Sequence, residues 1–184
     1  LTSIVNYVDL LKNLKIEDPN AINYIEILDK KAQRLKVLTE DLVEASKITT
    51  GNIKLVKNNL DFRELVKQSI GEIEDRFREK NLYIVADITD ERLVIYADGR
   101  RIFRVIDNLL QNTYKYSLSG TRVYISLRKE NDKVVFEMKN ISENPLNIDV
   151  SELTERFKRG DESRTSEGSG LGLSIAKSLL IMHE

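Results

Sequence analysis

The chain has 184 residues, room for one ordinary domain or for a small domain plus a short helical module. Hydrophobic residues make up 41% and charged residues 32%, enough for a core beneath much exposed helix, and the net charge of −1 excludes a global field drawing it to nucleic acid or to an acidic membrane surface. No cysteine is present, which removes disulfides and thiolate metal sites and suits a cytoplasmic setting; no run approaches the ~18 apolar residues of a bilayer span, and no signal peptide is visible.

Residues 1–14 read as a helix with Leu1, Ile4, Val8 and Leu11 on one stripe. Glu17-Asp18-Pro19-Asn20 reads as a turn, with Asp18 as cap of a second helix running from about Asn20 to Ile48. Its stripe is Ala21, Ile25, Leu28, Ala32, Leu35, Thr39, Leu42 and Ser46, a heptad-like seam. A hairpin this short buries such a seam poorly by itself. The expectation is therefore a homodimer through residues 1–50, two hairpins making a four-helix bundle. Thr49-Thr50-Gly51-Asn52 marks a domain boundary, with the second domain spanning residues 51–184.

Beyond it, Ile53 to Lys57 reads as a short strand, and Asp61 caps a helix to about Lys80 with Phe62, Leu65, Val66, Ile70, Ile73 and Phe77 inward. Leu82 to Ile88 and Leu93 to Ala97 read as strands. Asp98 caps a helix to about Tyr116, and Arg122 to Lys129 with Lys133 to Asn140 form a hairpin. Residues 141–169 are polar and irregular apart from a turn of helix near Ser151 to Phe157, the pattern of a functional loop or lid. Gly170 to Met182 is a final apolar helix. The fold class is α+β: a helical hairpin followed by an α/β sandwich.

Two segments carry chemistry. On the helix from Asp98 to Tyr116, Ile102, Ile106, Leu109 and Thr113 share one face, and Arg101, Arg104, Asn108, Asn112 and Lys115 share another. Asparagine forms helices poorly, so two of them in line with a lysine favour a duty over plain solvation. A carboxamide oxygen can ligate Mg²⁺ without adding charge, and a lysine can neutralise a phosphate. The second segment, Glu167-Gly168-Ser169-Gly170-Leu171-Gly172-Leu173, opens the last helix, where bare backbone N–H groups suit an anion. It is neither a Rossmann fingerprint, because the third glycine position falls on Leu173, nor a Walker loop.

Asn108-Leu109-Leu110-Gln111-Asn112-Thr113-Tyr114-Lys115-Tyr116-Ser117 resembles the N box of the histidine kinases of two-component signalling. Glu155-Arg156-Phe157-Lys158-Arg159-Gly160-Asp161 resembles their F box, and Gly168 to Leu173 their G2 box. Glu40 to Lys47 is similar to part of their dimerisation helices, so the resemblance covers nearly the whole chain. It implies a dimeric helical bundle and an ATP-binding sandwich of the GHKL (Bergerat) type. It further implies that Asn112 ligates Mg²⁺ with Asn108 beside it, that Lys115 and Tyr116 contact phosphates or the lid, and that Arg159 approaches the γ-phosphate. Gly168, Gly170, Leu171 and Gly172 would offer main-chain amides, and Phe157 would pack the lid. Hydrolysing relatives of the gyrase and MutL types carry a glutamate where Asn108 stands, and an amide cannot act as a general base, so phosphoryl transfer is favoured over hydrolysis.

The chain departs from that family in three places. It starts just past the expected phosphoacceptor box, and its only histidine, His183, reads as a helix-end residue favoured by the dipole. The adenine-reading aspartate position carries Lys139, which has no acceptor; Asn140, Asn144, Asn147 and Asp149 are the candidates to replace it. The chain stops at Glu184, short of the strands that the family continues with. The leading reading is the kinase core of a sensor histidine kinase, binding Mg-ATP and passing phosphate from histidine to a response-regulator receiver domain, its parent held at the cell membrane. This chain alone is expected not to autophosphorylate. The alternative is a non-catalytic dimeric pseudokinase, and a third reading is an ATPase or serine kinase of the same superfamily.

Overall fold

The computed structural model describes residues 2–14, 16–145 and 170–184. They divide into two compact units, Leu1–Gly51 and Asn52–Glu184.

The first unit is a helical hairpin of α1 (Thr2–Lys12) and α2 (Pro19–Thr49). Asp18 caps α2 by accepting from the N–H of Asn20, and Pro19 takes the first helical position, where its missing N–H costs nothing. Val5, Val8 and Ala32 form the small apolar contact between the helices, and Lys12 reaches Asp29 at 2.6 Å. The seam is thus only half used. Ile25 and Ala32 are buried, but Leu28, Leu35 and Leu42 remain 52%, 48% and 55% exposed, as does Ile4 on α1. Length explains it: α1 spans about 16 Å against about 46 Å for α2, at 1.5 Å per residue. One short helix cannot cover a long one.

The second unit contains β1 (Asn58–Asp61), α3 (Phe62–Glu79), β2 (Tyr83–Ile88), β3 (Val94–Ala97), α4 (Gly99–Tyr116), β4 (Arg122–Glu130), β5 (Lys133–Lys139) and α5 (Gly172–Ile181). The strand expected at Ile53 to Lys57 is irregular. Pairing starts at Asn58, which opposes Ala97 in a two-stranded antiparallel sheet, while the N–H of Val56 is taken by the Asp98 carboxylate. The expected strands on either side of residues 89–92 form, but in different sheets. β2 runs parallel to β4, which pairs antiparallel with β5. A parallel pair needs a long crossover, and here β3 and α4 supply it. Asn131, at φ 53°, makes the tight β4–β5 turn, and Asn81, at φ 56°, ends α3.

The three-stranded sheet has one apolar face. Val123, Ile125 and Leu127 of β4 and Val134, Phe136 and Met138 of β5 meet Phe62, Val66, Ile73 and Phe77 of α3 and Ile102, Ile106 and Leu110 of α4. On α4 the buried row includes Val105 and Leu110 rather than Leu109, which is only half-buried. The other face of the sheet carries Tyr124, Glu137 and Lys139 outward. The turn of helix expected near Ser151 to Phe157 lies outside the described residues.

Candidate functional site

α4 is held at both ends by side chains. Asp98 accepts from the N–H of Arg101 at 3.2 Å and from that of Val56 at 3.0 Å, capping the helix and tying it to the chain before β1. Burial works against this carboxylate's charge, but the N–H groups of Val56, Arg101 and Arg100 and the Arg101 charge outweigh it and hold its pKa below the usual range. At the other end, the Lys80 ammonium donates to the carbonyls of Tyr114 at 2.7 Å and Lys115 at 3.0 Å, satisfying orphan acceptors of the last turn. Sequence reading missed this cap, because thirty-odd residues separate partners that only the packing of α3 against α4 unites. Arg76 stacks on the Tyr114 ring at 4.6 Å.

The polar face of α4 does not open freely to solvent. α5 packs along it, and Asn108 and Asn112 are half-buried. The Nδ2 of Asn108 is fully buried and has no hydrogen-bond partner. Leaving such a donor unpaired costs about 1–3 kcal/mol, so its position calls for a polar ligand. Opposite stands Gly172, the first residue of α5: a Cβ there would lie 3.5 Å from the Asn108 Oδ1 and 3.7 Å from its Cγ. A methyl there would make ordinary contact with the carboxamide.

The segment leading into α5 is shaped for the same purpose. Gly170 has φ +68°, a left-handed conformation open to glycine. Leu171 follows, 2% exposed, an apolar anchor whose carbonyl accepts from the Ser174 hydroxyl at 2.8 Å. Helix α5 starts without a side-chain N-cap hydrogen bond, with its first residue, Gly172, beside Asn108 of α4. Lys115 donates to the Tyr116 hydroxyl at 2.9 Å and lies 4.6 Å from its ring centroid, so the two form one unit at the end of α4. Just beyond, Ser117 has a fully buried hydroxyl with no partner, which sequence reading did not single out. The chain after β5 seats here: Ser117 bridges Ser142, and the Glu143 N–H donates to the Tyr116 carbonyl at 2.8 Å.

Of the expected site residues, Asn108, Gly170, Leu171 and Gly172 are therefore brought together, and Asn112, Lys115 and Tyr116 continue along α4. Arg159, Gly168 and Phe157, with Asn147 and Asp149, lie outside the described residues. Lys139 belongs elsewhere. It sits on the strand parity of Glu137, which it meets at 3.1 Å, on the sheet face opposite α4.

His183 sits half-buried at the end of α5, as expected of a helix-end residue. Its Nδ1 lies 2.7 Å from the Leu179 carbonyl, and its Nε2 accepts from the N–H of Asp98 at 3.1 Å. Both contacts require a neutral ring with the proton on Nδ1, not a cation on the helix dipole. Among the described residues, no three histidine, aspartate or glutamate side chains gather to hold a metal, and no helix is long and apolar enough to cross a membrane.

Comparison with known proteins places this geometry. Residues 97–184 match the family described as histidine kinase-, DNA gyrase B-, and HSP90-like ATPase. The sensor protein VanSC of Enterococcus gallinarum is 31% identical over 188 residues, covering 98% of this chain and 50% of that protein. The sensor protein SphS of Synechococcus elongatus is 30% identical, covering 100% of this chain and 46% of that protein. The chain thus spans about half the length of the curated relatives it matches. Among solved structures, the Acinetobacter baumannii histidine kinase AdeS has a TM-score of 0.69 at 20% identity, over 98% of this chain and 83% of that one. Full-length ShkA, crystallised with AMPPNP, has a TM-score of 0.78 at 22% identity, over 96% of this chain and 36% of that one.

Proposed function

Because this chain belongs to the sensor histidine kinases, with an ATPase domain of the GHKL type, we propose that it is the kinase core of such a sensor, with a Mg-ATP site between α4 and the start of α5. The observation that carries the proposal is the buried, unpartnered amide of Asn108 facing Gly172. That donor suits a phosphate oxygen or a bound water better than a cation. The metal falls instead to Asn112, one turn further on, whose carbonyl oxygen would provide one hard ligand. Mg²⁺ usually keeps several waters and takes few protein ligands, so one carboxamide plus the phosphates of the nucleotide suffices. When bound, it supplies charge neutralisation on the phosphoryl group.

The remaining work is positioning, the main resource in phosphoryl transfer. The amides of Gly170, Leu171 and Gly172 would orient the phosphates, and Leu171, buried against the unit, holds that turn in place. Lys115 adds a point charge within reach of Tyr116, and Arg159 joins from the segment before α5. Neither Asn108 nor Asn112 can deprotonate water, so the site favours transfer over hydrolysis.

The hairpin, bounded near residue 51, completes the core by pairing with a second copy. The acceptor histidine belongs to the parent protein, whose own attachment to the membrane and response-regulator partner we infer from the family. His183 is not the acceptor, since both of its ring nitrogens are engaged. Protein incubated with Mg-ATP should therefore show no phosphohistidine by mass spectrometry.

Titration calorimetry with Mg-ATP tests the reading. One site per chain is expected, and Asn112→Ala should weaken it at least about tenfold, the loss of one charge-linked contact. Folded protein that takes up no nucleotide would contradict it and restore the pseudokinase reading. That alternative rests on Lys139 at the adenine-reading position and on the absence of that box's glycines from residues 139–147.

A further inference from the structure

α4 and α5 lie antiparallel and pack along each other, with Ile175, Ala176 and Leu179 of α5 buried, and two further contacts stand apart on the pair. At one, Gly172 faces Asn108. At the other, His183 receives the N–H of Asp98. Ten residues separate Asp98 from Asn108 and eleven separate Gly172 from His183, so each arm spans about 15 Å of helix. Apolar packing holds the pair together, and these two contacts fix its register; when the His183 contact is withdrawn, the start of α4 can shift against α5.

We propose that His183 is a positioning residue for the site at Asn108 and Gly172, and that protonating its ring withdraws its contact with Asp98. This rests on the reading of that site as a nucleotide pocket. The contact forms only in one protonation state. Nε2 must offer a lone pair to the Asp98 N–H, while Nδ1–H is spent on the Leu179 carbonyl at 2.7 Å. A protonated ring carries N–H on both nitrogens, so Nε2 then confronts the Asp98 N–H donor to donor.

The surrounding charges do not rescue it. From the segment before β1, the Lys57 ammonium lies on the His183 carbonyl at 3.0 Å and opposes a second positive charge. From α4, the Asp98 carboxylate would attract the imidazolium, but both of its oxygens are committed to the N–H groups of Val56 and Arg101. Arg100 and Arg101, in the first turn of α4, add positive charge, and Glu184 follows His183 in the chain. Turning the Asp98 carboxylate to the ring would uncap α4, so either response disturbs the helix start. Asn108, in the middle of the same helix, then changes its spacing from Gly172.

The chain has a single histidine, which makes the test unambiguous. Protein labelled with ¹⁵N is titrated without nucleotide from about pH 8 to about pH 5, the interval across which imidazoles gain their proton. The ring nitrogens should report the Nδ1–H tautomer at the alkaline end. The Gly172 amide and the Asn108 side-chain amide should shift with the same midpoint as the ring. In parallel, Mg-ATP affinity should fall about three- to tenfold more across that interval in wild type than in His183→Gln, whose amide oxygen keeps an acceptor but cannot titrate there. Protonation of the nucleotide is common to both proteins and cancels. An Nε2–H tautomer, or a ring that titrates while Gly172 and Asn108 stay still, would overturn the proposal. Parallel profiles for wild type and His183→Gln would do the same. Protein that binds no Mg-ATP would instead remove the pocket reading, while the shifts at Gly172 and Asn108 would still decide whether the His183 contact is coupled to them.

Discussion

At the scale of single residues, Gly172 and Asp98 separate function from stability. A methyl group at Gly172 meets the Asn108 amide at ordinary contact distance and the backbone there is not left-handed, so Gly172→Ala should fold normally. Helix propensity adds up to about 1 kcal/mol of stability. The methyl nevertheless stands against the Oδ1 and Cγ of Asn108, beside the space proposed for the nucleotide, so Mg-ATP affinity should drop by about tenfold or more while thermal unfolding is unchanged or later. Asp98 is the opposite case. Asp98→Asn keeps one acceptor oxygen where the carboxylate uses two, and should cost about 1 kcal/mol in urea unfolding at neutral pH. The carboxyl is held below its usual range when folded, so its contribution is complete above the unfolded value near about 4. It is lost as pH falls through the depressed folded value. Wild type should therefore lose its advantage over Asp98→Asn as the solution is taken below about pH 4.

At the scale of elements, local rules served well wherever one element decides for itself. Asp18, Asp61 and Asp98 all cap the helices they precede, each taking an N–H two or three residues on. Asn108, Gly170 and Gly172 stood out as candidates because asparagine forms helices poorly and glycine frees the backbone for a close approach. What periodicity could not reach was partnership. β2 and β3 look like neighbours in sequence, yet their hydrogen bonds go to β4 and β1, because the apolar faces must meet one helical layer. Leu109 and Leu110 differ by one helical step, and only the packing of α4 on the sheet chooses Leu110. His183 and Lys80 work through carbonyls and N–H groups contributed by distant segments, which no pattern of side chains announces. The hairpin leaves Leu28, Leu35 and Leu42 exposed at heptad spacing, the pattern of an unfinished coiled-coil seam. Leu35→Glu would place a charge in the middle of that seam. If the proposed dimer forms, light scattering should give a dimer for the wild type and a monomer for this variant, with nucleotide affinity unchanged.

At the scale of the whole molecule, the two units would, on the proposed function, divide the labour of a kinase core. Asn52–Glu184 has its own apolar core, built on a sheet with helices on one face, and its candidate site lies where α4 and α5 meet. Leu1–Gly51 has almost none, and its unfinished seam is the reason to expect a second copy. Residues 97–184, matched by the ATPase family, fall inside the larger unit and contain every described site residue. The central claim is that nucleotide binds at the asparagine face of α4 against the start of α5. Amide spectra recorded as Mg-ATP is added test it most directly. The account predicts that the side-chain amides of Asn108 and Asn112 and the backbone amides of Gly170 and Gly172 move together and saturate. Gln111, on the groove that α3 and α4 form with Arg76, should stay in place. Saturating nucleotide that leaves the asparagine amides unmoved, or that shifts the Gln111 groove instead, would contradict the account.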